Sequence, residues 1–175
     1  MNTTEILTAI NQSLDEYRNR LDSIPDEQFT QTPPNGGWSY AEVYSHILQA
    51  DLGSSIAAER CINGTTEPTT KGLNWLGRLF FVLNRFPPVR GKAPADAKVP
   101  VVVKIDKEEA RNLIMKCRKR MNDLAAKLDG SSQHHRIKHP RLGMLNARHW
   151  FKFILIHTKH HIKQLDRIAK QFNKG

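Results

Sequence analysis

Two histidines four residues apart, His157 and His161, lie in a stretch from Leu145 to Phe172 that contains no Gly or Pro. The stretch has the periodicity of a helix, and at ~100° per residue its apolar side chains fall within one ~80° arc that also contains both imidazoles. The residues in this arc are Trp150, Ile154, His157, His161, Leu165, Ile168 and Phe172. Two polar rings therefore interrupt a face that a bundle-forming helix would fill with leucine, and they need a compensating partner.

A histidine pair with this spacing is suited to metal binding, because the two rings stand ~5 to 6 Å apart on one helix face. His46 supplies a third imidazole from another predicted helix, whose start is marked by the capping box Ser39-Tyr-Ala-Glu42. Three imidazoles would leave an open position for water or substrate, as in catalytic zinc sites. Zinc and nickel both suit such ligands. The alternative is that these histidines are hydrogen-bonded core residues without a metal.

Three further side chains are candidates for supporting roles. Gln164 lies at the edge of the inner arc and could orient a ligand or touch substrate. Glu42 lies one turn before His46, where the capping box is expected to occupy it. His160 falls at the edge of the arc, so we expect it behind the ligands or at the mouth of the site. His149 is expected to face solvent.

Four long amphipathic helices are predicted from caps and periodicity. They run from Asn2 to about Asp22, from Ser39 to about Cys61, from Asp106 to about Asp129, and from Leu145 to Phe172. The inner face of the second is expected to carry Val43, His46, Ile47, Ala50, Gly53, Ser54 and Ala57. With no convincing strand, the pattern predicts an all-α, up-and-down four-helix bundle that forms one domain over residues 1–175.

The connection between the second and third helices, residues 63–105, is long and irregular. Asn74 to Phe86 is strongly apolar and predicts a short helix that serves as a lid over the bundle end or as a dimer contact. Gly91 to Pro100 is expected to be an extended linker, followed by a short extended segment. Two other segments, 26–37 and 131–143, have the composition of loops. The second of these loops is rich in imidazole and guanidinium groups.

Composition excludes several classes of protein. No apolar run is long enough to span a membrane, and the first residues do not resemble a signal peptide, so we expect a cytoplasmic protein. Cys61 and Cys117 are expected to be free thiols on helices. The formal net charge of +10 is spread along the chain, which favours a solvated basic face. Without a helix-turn-helix or a basic stripe interleaved with aromatics, the sequence argues against nucleic acid as a partner.

Three motifs together resemble the DinB-like superfamily of metal-binding four-helix bundles. They are Gly37-Trp38-Ser39-Tyr-Ala-Glu42-Val-Tyr-Ser-His46, His139-Pro-Arg-Leu-Gly143-Met-Leu-Asn146-Ala-Arg-His-Trp150, and His157-Thr-Lys-His-His161-Ile-Lys-Gln164. The resemblance implies a fold of DinB-like type. It also implies that His46, His157 and His161 are metal ligands, the same residues that the helical angles select.

The superfamily includes bacillithiol and mycothiol S-transferases and relatives described as metal-dependent hydrolases. The resemblance therefore implies a divalent metal, zinc or nickel, that activates a low-molecular-weight thiol or a water for attack on a small electrophile. His139 or Arg141 could help to bind an anionic thiol. A non-enzymatic basic bundle that binds nucleic acid, and an inactive dimeric bundle that retains the metal site, are the alternatives. A homodimer is left open.

Overall fold

The computed structural model describes residues 1–87 and 102–173. Its helices are α1 (Thr3–Ser23), α2 (Asp26–Phe29), α3 (Tyr40–Ile62), α4 (Trp75–Leu83), α5 (Lys107–Leu128) and α6 (Ala147–Phe172), and its strands are β1 (Ile137–His139) and β2 (Gly143–Leu145). The four long helices confirm the predicted four-helix bundle. None of the helices within the described residues has the length and apolar character needed to cross a membrane.

Side-chain caps fix where the long helices begin. Asn2 and Ser39 each form a full capping box, with Glu5 and with Glu42 respectively. Asp106 and Asn146 accept a backbone N–H from the first turns of α5 and α6. Each cap satisfies N–H groups that the helix itself leaves unpaired. The predicted starts of the helices are therefore correct to within two residues.

The order of the helices around the bundle differs from the simple up-and-down arrangement that was expected. α3 packs against both α5 and α6, and α1 packs against the same two helices, so α1 and α3 lie diagonally across the core. Consecutive long helices can occupy diagonal corners because long connections, residues 24–39 and 129–146, cross the ends of the bundle.

Two predicted loops contain regular structure. Segment 26–37 begins with the short helix α2, whose Phe29 is buried. Segment 131–143 contributes β1 to an antiparallel hairpin with β2, in which Lys138 pairs with Met144. The hairpin also bonds outside itself, since the Met144 N–H donates to the carbonyl of Gly72 at 3.0 Å. The expectation of no strand was therefore wrong.

Helix α4 is shorter than predicted and lies against α6. It ends at Leu83 because Asn84 adopts a left-handed conformation with φ of 50°. Phe80 packs on Phe153 of α6, with ring centroids 5.8 Å apart. Residues 102–106 form no regular element, and the linker predicted at 91–100 lies outside the described residues.

The core lies between the four long helices and includes two buried tyrosines. The hydroxyl of Tyr44 donates to the carbonyl of Tyr17 at 2.7 Å, and the Tyr17 hydroxyl donates to the carbonyl of Thr158 at 3.0 Å. These bonds link α3 to α1 and α1 to α6, so they fix the helices that carry the histidines. On α3, Gly53 is exposed rather than inward-facing, whereas the carboxyl of Asp51 is buried.

Candidate metal centre

His46, His157 and His161 come together where α3 and α6 pack. The capping box at Ser39 sets the start of α3, so that His46 falls two turns later on the side that faces α6. Small buried residues of α3, among them Ser54, let the two helices approach closely. The three residues selected from the sequence therefore occupy one place in the structure.

The ligand atoms of the three histidines all lie within 4.8 Å of one another. His157 and His161 are closest, with 3.1 Å between their Nε2 atoms. The ring of His46 has its centroid 5.3 Å from that of His157 and 4.9 Å from that of His161. Among residues 1–87 and 102–173, no other group of three histidine, cysteine or acidic side chains converges in this way.

The three imidazoles are neutral at physiological pH. Burial, together with the proximity of other histidines, lowers the pKa of His157 and of His161 to about 3. Burial also lowers the pKa of His46 to about 4. A neutral imidazole is the form that donates a lone pair to a metal, so the site has the protonation state that metal binding requires.

Asp51 is the most important residue that the sequence analysis missed. Its carboxyl lies on α3, is 1% exposed, and accepts a hydrogen bond from the Thr158 hydroxyl at 2.9 Å. The other oxygen, Oδ1, lies 3.7 Å from Nδ1 of His157. Neither of these two atoms has a hydrogen-bond partner within the described residues. Burial raises the pKa of Asp51 well above its ordinary value, and the bond from Thr158 opposes that rise.

The contact between Asp51 and His157 fits a metal ligand better than a core histidine. If Nε2 of His157 binds a metal, the ring proton resides on Nδ1, where it faces the carboxylate oxygen. Ligating histidines in proteins usually donate their second N–H to such a carboxylate, which fixes the ring and makes it more basic. The positive charge of a bound ion would also favour the charged carboxylate.

Gln164 provides the same support for His161. Its Oε1 lies 2.7 Å from Nδ1 of His161 and accepts the proton on that nitrogen. Nε2 of His161 is then left with its lone pair directed at the cluster. Gln164 lies one turn after His161, and this hydrogen bond holds the orientation of the ring.

His160 and Glu42 stay outside the cluster. The His160 ring packs on Phe86, with centroids 4.5 Å apart, and meets the His161 ring edge-on at 5.2 Å. The Glu42 carboxylate accepts hydrogen bonds from the backbone N–H and the hydroxyl of Ser39 at 2.8 and 2.6 Å. The capping box therefore occupies Glu42, as expected.

Aromatic rings surround the cluster and shield it from water. Trp38 packs on His46 at 5.1 Å, Phe153 stacks on His157 at 5.1 Å with an interplanar angle of 18°, and Phe86 lies 6.0 Å from His157. These rings explain why the histidines are neutral. They also lower the local dielectric, which strengthens any charge interaction inside the site.

A cationic cleft of about 390 Å³ opens beside the cluster. We use this name for the space between Arg85, Phe86, Lys159, His160 and Lys163. His160 separates the cleft from His161 by one ring. The cleft places three full positive charges near the histidines, a feature that segment-by-segment charge counting did not locate.

Neither cysteine can act as the nucleophile. Cys61 and Cys117 are free thiols on helices, as predicted, and both are buried. Burial raises the pKa of the Cys61 thiol to about 11 and raises that of Cys117 still further. The reactive species in cysteine chemistry is the thiolate, which both residues lack at neutral pH.

His149 is not solvent-facing, contrary to expectation. It is half-buried beneath α4, where its ring lies 4.9 Å from that of Phe81. Burial lowers its pKa. The helical angle alone could not reveal this, because the covering residue comes from a distant part of the chain.

A family model described as the DinB superfamily matches residues 9–165. Among solved structures, TT2238, described as a four-helix bundle protein, has a TM-score of 0.61 and 18% identity, over 95% of this chain and 99% of that one. YfiT from Bacillus subtilis, described as a probable metal-dependent hydrolase with an unusual four-helix bundle topology, has a TM-score of 0.66 and 14% identity, over 98% of this chain and 87% of that one. At these sequence identities, the structural similarity shows the fold alone. No curated protein matches the chain.

Proposed function

This chain belongs to the DinB superfamily, and we propose that it is a metal-dependent enzyme that uses His46, His157 and His161 to bind one divalent ion. The observation that carries the proposal is the convergence of three neutral, buried imidazoles, one of which faces the otherwise unpartnered carboxyl oxygen of Asp51. A pair of core histidines would not need that carboxyl. Zinc and nickel are the ions that we expect, because both favour imidazole nitrogen.

When bound, such an ion supplies a Lewis acid that lowers the pKa of a coordinated thiol or water, so that a nucleophile exists at neutral pH. The residues of the chain act around it. Gln164 holds the proton of His161 on Nδ1 at 2.7 Å, and Asp51, which faces Nδ1 of His157 across 3.7 Å, would hold the proton of that ring when the ion is bound. Phe86, Phe153 and Trp38 exclude bulk water from the cluster.

We further propose that the reaction is transfer of a low-molecular-weight thiol to a small electrophile. The specific support for a thiol is the cationic cleft, whose Arg85, Lys159 and Lys163 can hold the carboxylates of an anionic thiol beside the histidines. The high pKa values of Cys61 and Cys117 support an external thiol, because neither residue supplies a thiolate at neutral pH.

Hydrolysis is the second candidate. It is favoured by the similarity to YfiT, which is described as a probable metal-dependent hydrolase. In this case water takes the place of the thiol, and the same histidines are required. The two reactions differ in whether product formation depends on added thiol.

The test is to incubate the metal-loaded protein with monochlorobimane and with glutathione, cysteine or bacillithiol, and to follow conjugate formation. We expect thiol-dependent conjugation that His157→Ala abolishes and that the matched control His134→Gln, an exposed histidine, leaves unchanged. Release of product from ester substrates without thiol, lost in the same His157 variant, would support the hydrolase. Activity that persists in His157→Ala would overturn the proposed site.

A further inference from the structure

A second cavity, of about 190 Å³, lies between α4 and the tip of the β1–β2 hairpin. Its apolar walls come from Leu76, Phe80, Phe86 and Leu142, and its polar groups come from His139 and Arg141. A cavity of ~150 Å³ with apolar walls is large enough for benzene. This space can therefore hold one apolar group of about the size of a benzene ring. We call it the hairpin cavity.

Arg141 brings a positive charge to the hairpin cavity. Its side chain is half-buried and has no ion pair or side-chain hydrogen bond within residues 1–87 and 102–173. Its backbone is held firmly, because the Asn74 side-chain amide donates to the Arg141 carbonyl at 2.9 Å and the Asn74 N–H donates to the next carbonyl at 3.1 Å. A half-buried guanidinium gains most from an anionic partner that can accept two hydrogen bonds.

His139 adds a neutral donor. Its Nδ1 accepts the backbone N–H of Arg141 at 3.2 Å, so the ring proton resides on Nε2. Burial lowers the pKa of His139 to about 4, which keeps the ring uncharged at neutral pH. The cavity thus combines apolar walls with one cation and one N–H donor. That combination suits a ligand in which an anionic group is attached to an apolar group.

The hairpin cavity lies one aromatic ring away from the three-histidine cluster. The His139 ring is 4.8 Å from Phe153, which in turn stacks on His157. Phe86 lines both the hairpin cavity and the cationic cleft, and its ring is 6.0 Å from that of His157. A molecule in the cavity is therefore held close to the cluster, beside the Phe86 ring that also lines the cationic cleft.

We propose that the hairpin cavity binds the apolar part and the anionic group of the electrophilic substrate. This substrate is therefore a small organic acid. Arg141 binds the anionic group, His139 donates to it, and Leu76, Phe80 and Phe86 contact the apolar part. That this ligand is the substrate depends on the proposed function. Binding of the organic acid itself does not.

The test is direct binding of benzoate to the full chain by calorimetry, with benzyl alcohol as the neutral probe and acetate as the probe without a ring. We expect benzoate to bind more tightly than either. Arg141→Gln should weaken benzoate binding about tenfold or more, since one charge-assisted bond is lost, and should leave benzyl alcohol unaffected. The matched control is Lys138→Gln, which removes an exposed charge from the same hairpin and should change neither. Leu76→Phe, which fills the cavity, should weaken both ring-containing probes.

The same titration with metal-depleted protein separates this proposal from the proposed function. Benzoate binding that survives metal removal and is weakened by Arg141→Gln supports the hairpin cavity, even if no enzyme activity is ever found. Binding that is lost with the metal but unchanged in Arg141→Gln would show that the carboxylate binds the ion, and would overturn the cavity while leaving the metal site intact. Absence of benzoate binding, or equal affinity in the Arg141 variant, also overturns it. Phenyl phosphate in place of benzoate shows whether the preferred anion is a phosphate.

Discussion

Nδ1 of His157 faces Oδ1 of Asp51 across 3.7 Å inside the bundle, and neither atom has a hydrogen-bond partner within the described residues. An aspartate with 1% exposure is costly unless its charge is compensated. The Thr158 hydroxyl satisfies only one of the two carboxyl oxygens of Asp51. The imidazole N–H of a metal-bound His157 would satisfy the other oxygen. The pair therefore connects a buried carboxyl of α3 with a proposed metal ligand on α6.

Asp51→Asn should lower the affinity for zinc by about 10- to 100-fold, because removing the carboxylate behind a ligating histidine usually has an effect of this size. The fold should be retained, since the amide oxygen of asparagine can still accept from Thr158. Competition with a chromophoric chelator measures the affinity. Asp123→Asn, at an exposed position of α5, is the control and should behave like wild type. Equal zinc affinity in the two variants would rule out the role of Asp51.

His160 and His161 are adjacent, yet their substitution should have different effects. Purified wild type should contain about one divalent ion per chain by elemental analysis. His161→Ala should lose most of it, whereas His160→Ala should retain nearly all, because the His160 ring packs on Phe86 and lies outside the cluster. Loss of the metal in the His160 variant would mean that the wrong neighbour has been assigned.

Gln164→Leu should weaken zinc binding less than loss of a ligand does. The substitution removes the oxygen 2.7 Å from Nδ1 of His161 and leaves the ring free to rotate or to change tautomer. A decrease of about tenfold in zinc affinity is expected. Gln49→Leu, at an exposed position of α3, serves as the control for adding an apolar side chain. If Gln164→Leu binds zinc as tightly as this control, the hydrogen bond does not support the site.

The site histidines were predictable from sequence, and Asp51 was not, for a physical reason. His157 and His161 interrupt a long apolar face, so their burial follows from the helical angle alone. Asp51 lies on α3 about 140° around the helix from His46, on the side that meets α6. One signal was available: Asp51 is the only Asp, Glu, Lys or Arg between Glu42 and Glu59. An isolated charge in an otherwise uncharged stretch of a helix indicates a buried partner.

The hairpin and the position of α4 could not be read from the sequence. β1 and β2 have three residues each, too few for a strand pattern to show. The hairpin is also bonded to a distant part of the chain, since the Met144 N–H donates to the carbonyl of Gly72. The burial of His149 likewise depends on Phe81 of α4. These features arise from contacts between distant segments, whereas caps and helix faces arise from neighbouring residues.

Acidification should destabilise the metal-free protein through its buried histidines. In the folded protein the pKa of His139 is about 4 and that of His157 about 3, both below the ordinary value of 6.5. Between pH ~6.5 and these values the unfolded chain binds more protons, so the free energy of unfolding falls as the pH falls. Urea titrations at several pH values measure this slope. His139→Gln should give a shallower slope than wild type over that range, and an identical slope would contradict the burial of a neutral His139.

Gly77 lies where α4 crosses the hairpin, and it allows the two to touch. A Cβ at this position would overlap the carbonyl oxygen of Leu142, which is backbone and cannot move aside. Gly77→Ala should therefore destabilise the protein by about 1–3 kcal/mol, the usual effect of forcing extra atoms into a packed contact. Thermal and urea unfolding measure the change.

Gly53→Ala is the matched control for Gly77→Ala, because Gly53 is also helical but a Cβ there would meet no atom within 4 Å beyond its own stretch of helix. Alanine there should stabilise the protein by about 0.5–1 kcal/mol through helix propensity alone. Both substitutions replace a helical glycine by alanine and gain the same helix propensity. The difference in stability between the two variants therefore measures the clash with Leu142. Gly77→Ala should also weaken benzoate binding, because moving α4 away from the hairpin displaces Leu76 and Phe80 from the cavity wall. If the two alanine variants are equally stable, α4 does not pack against the hairpin as described, and the cavity between them loses its wall.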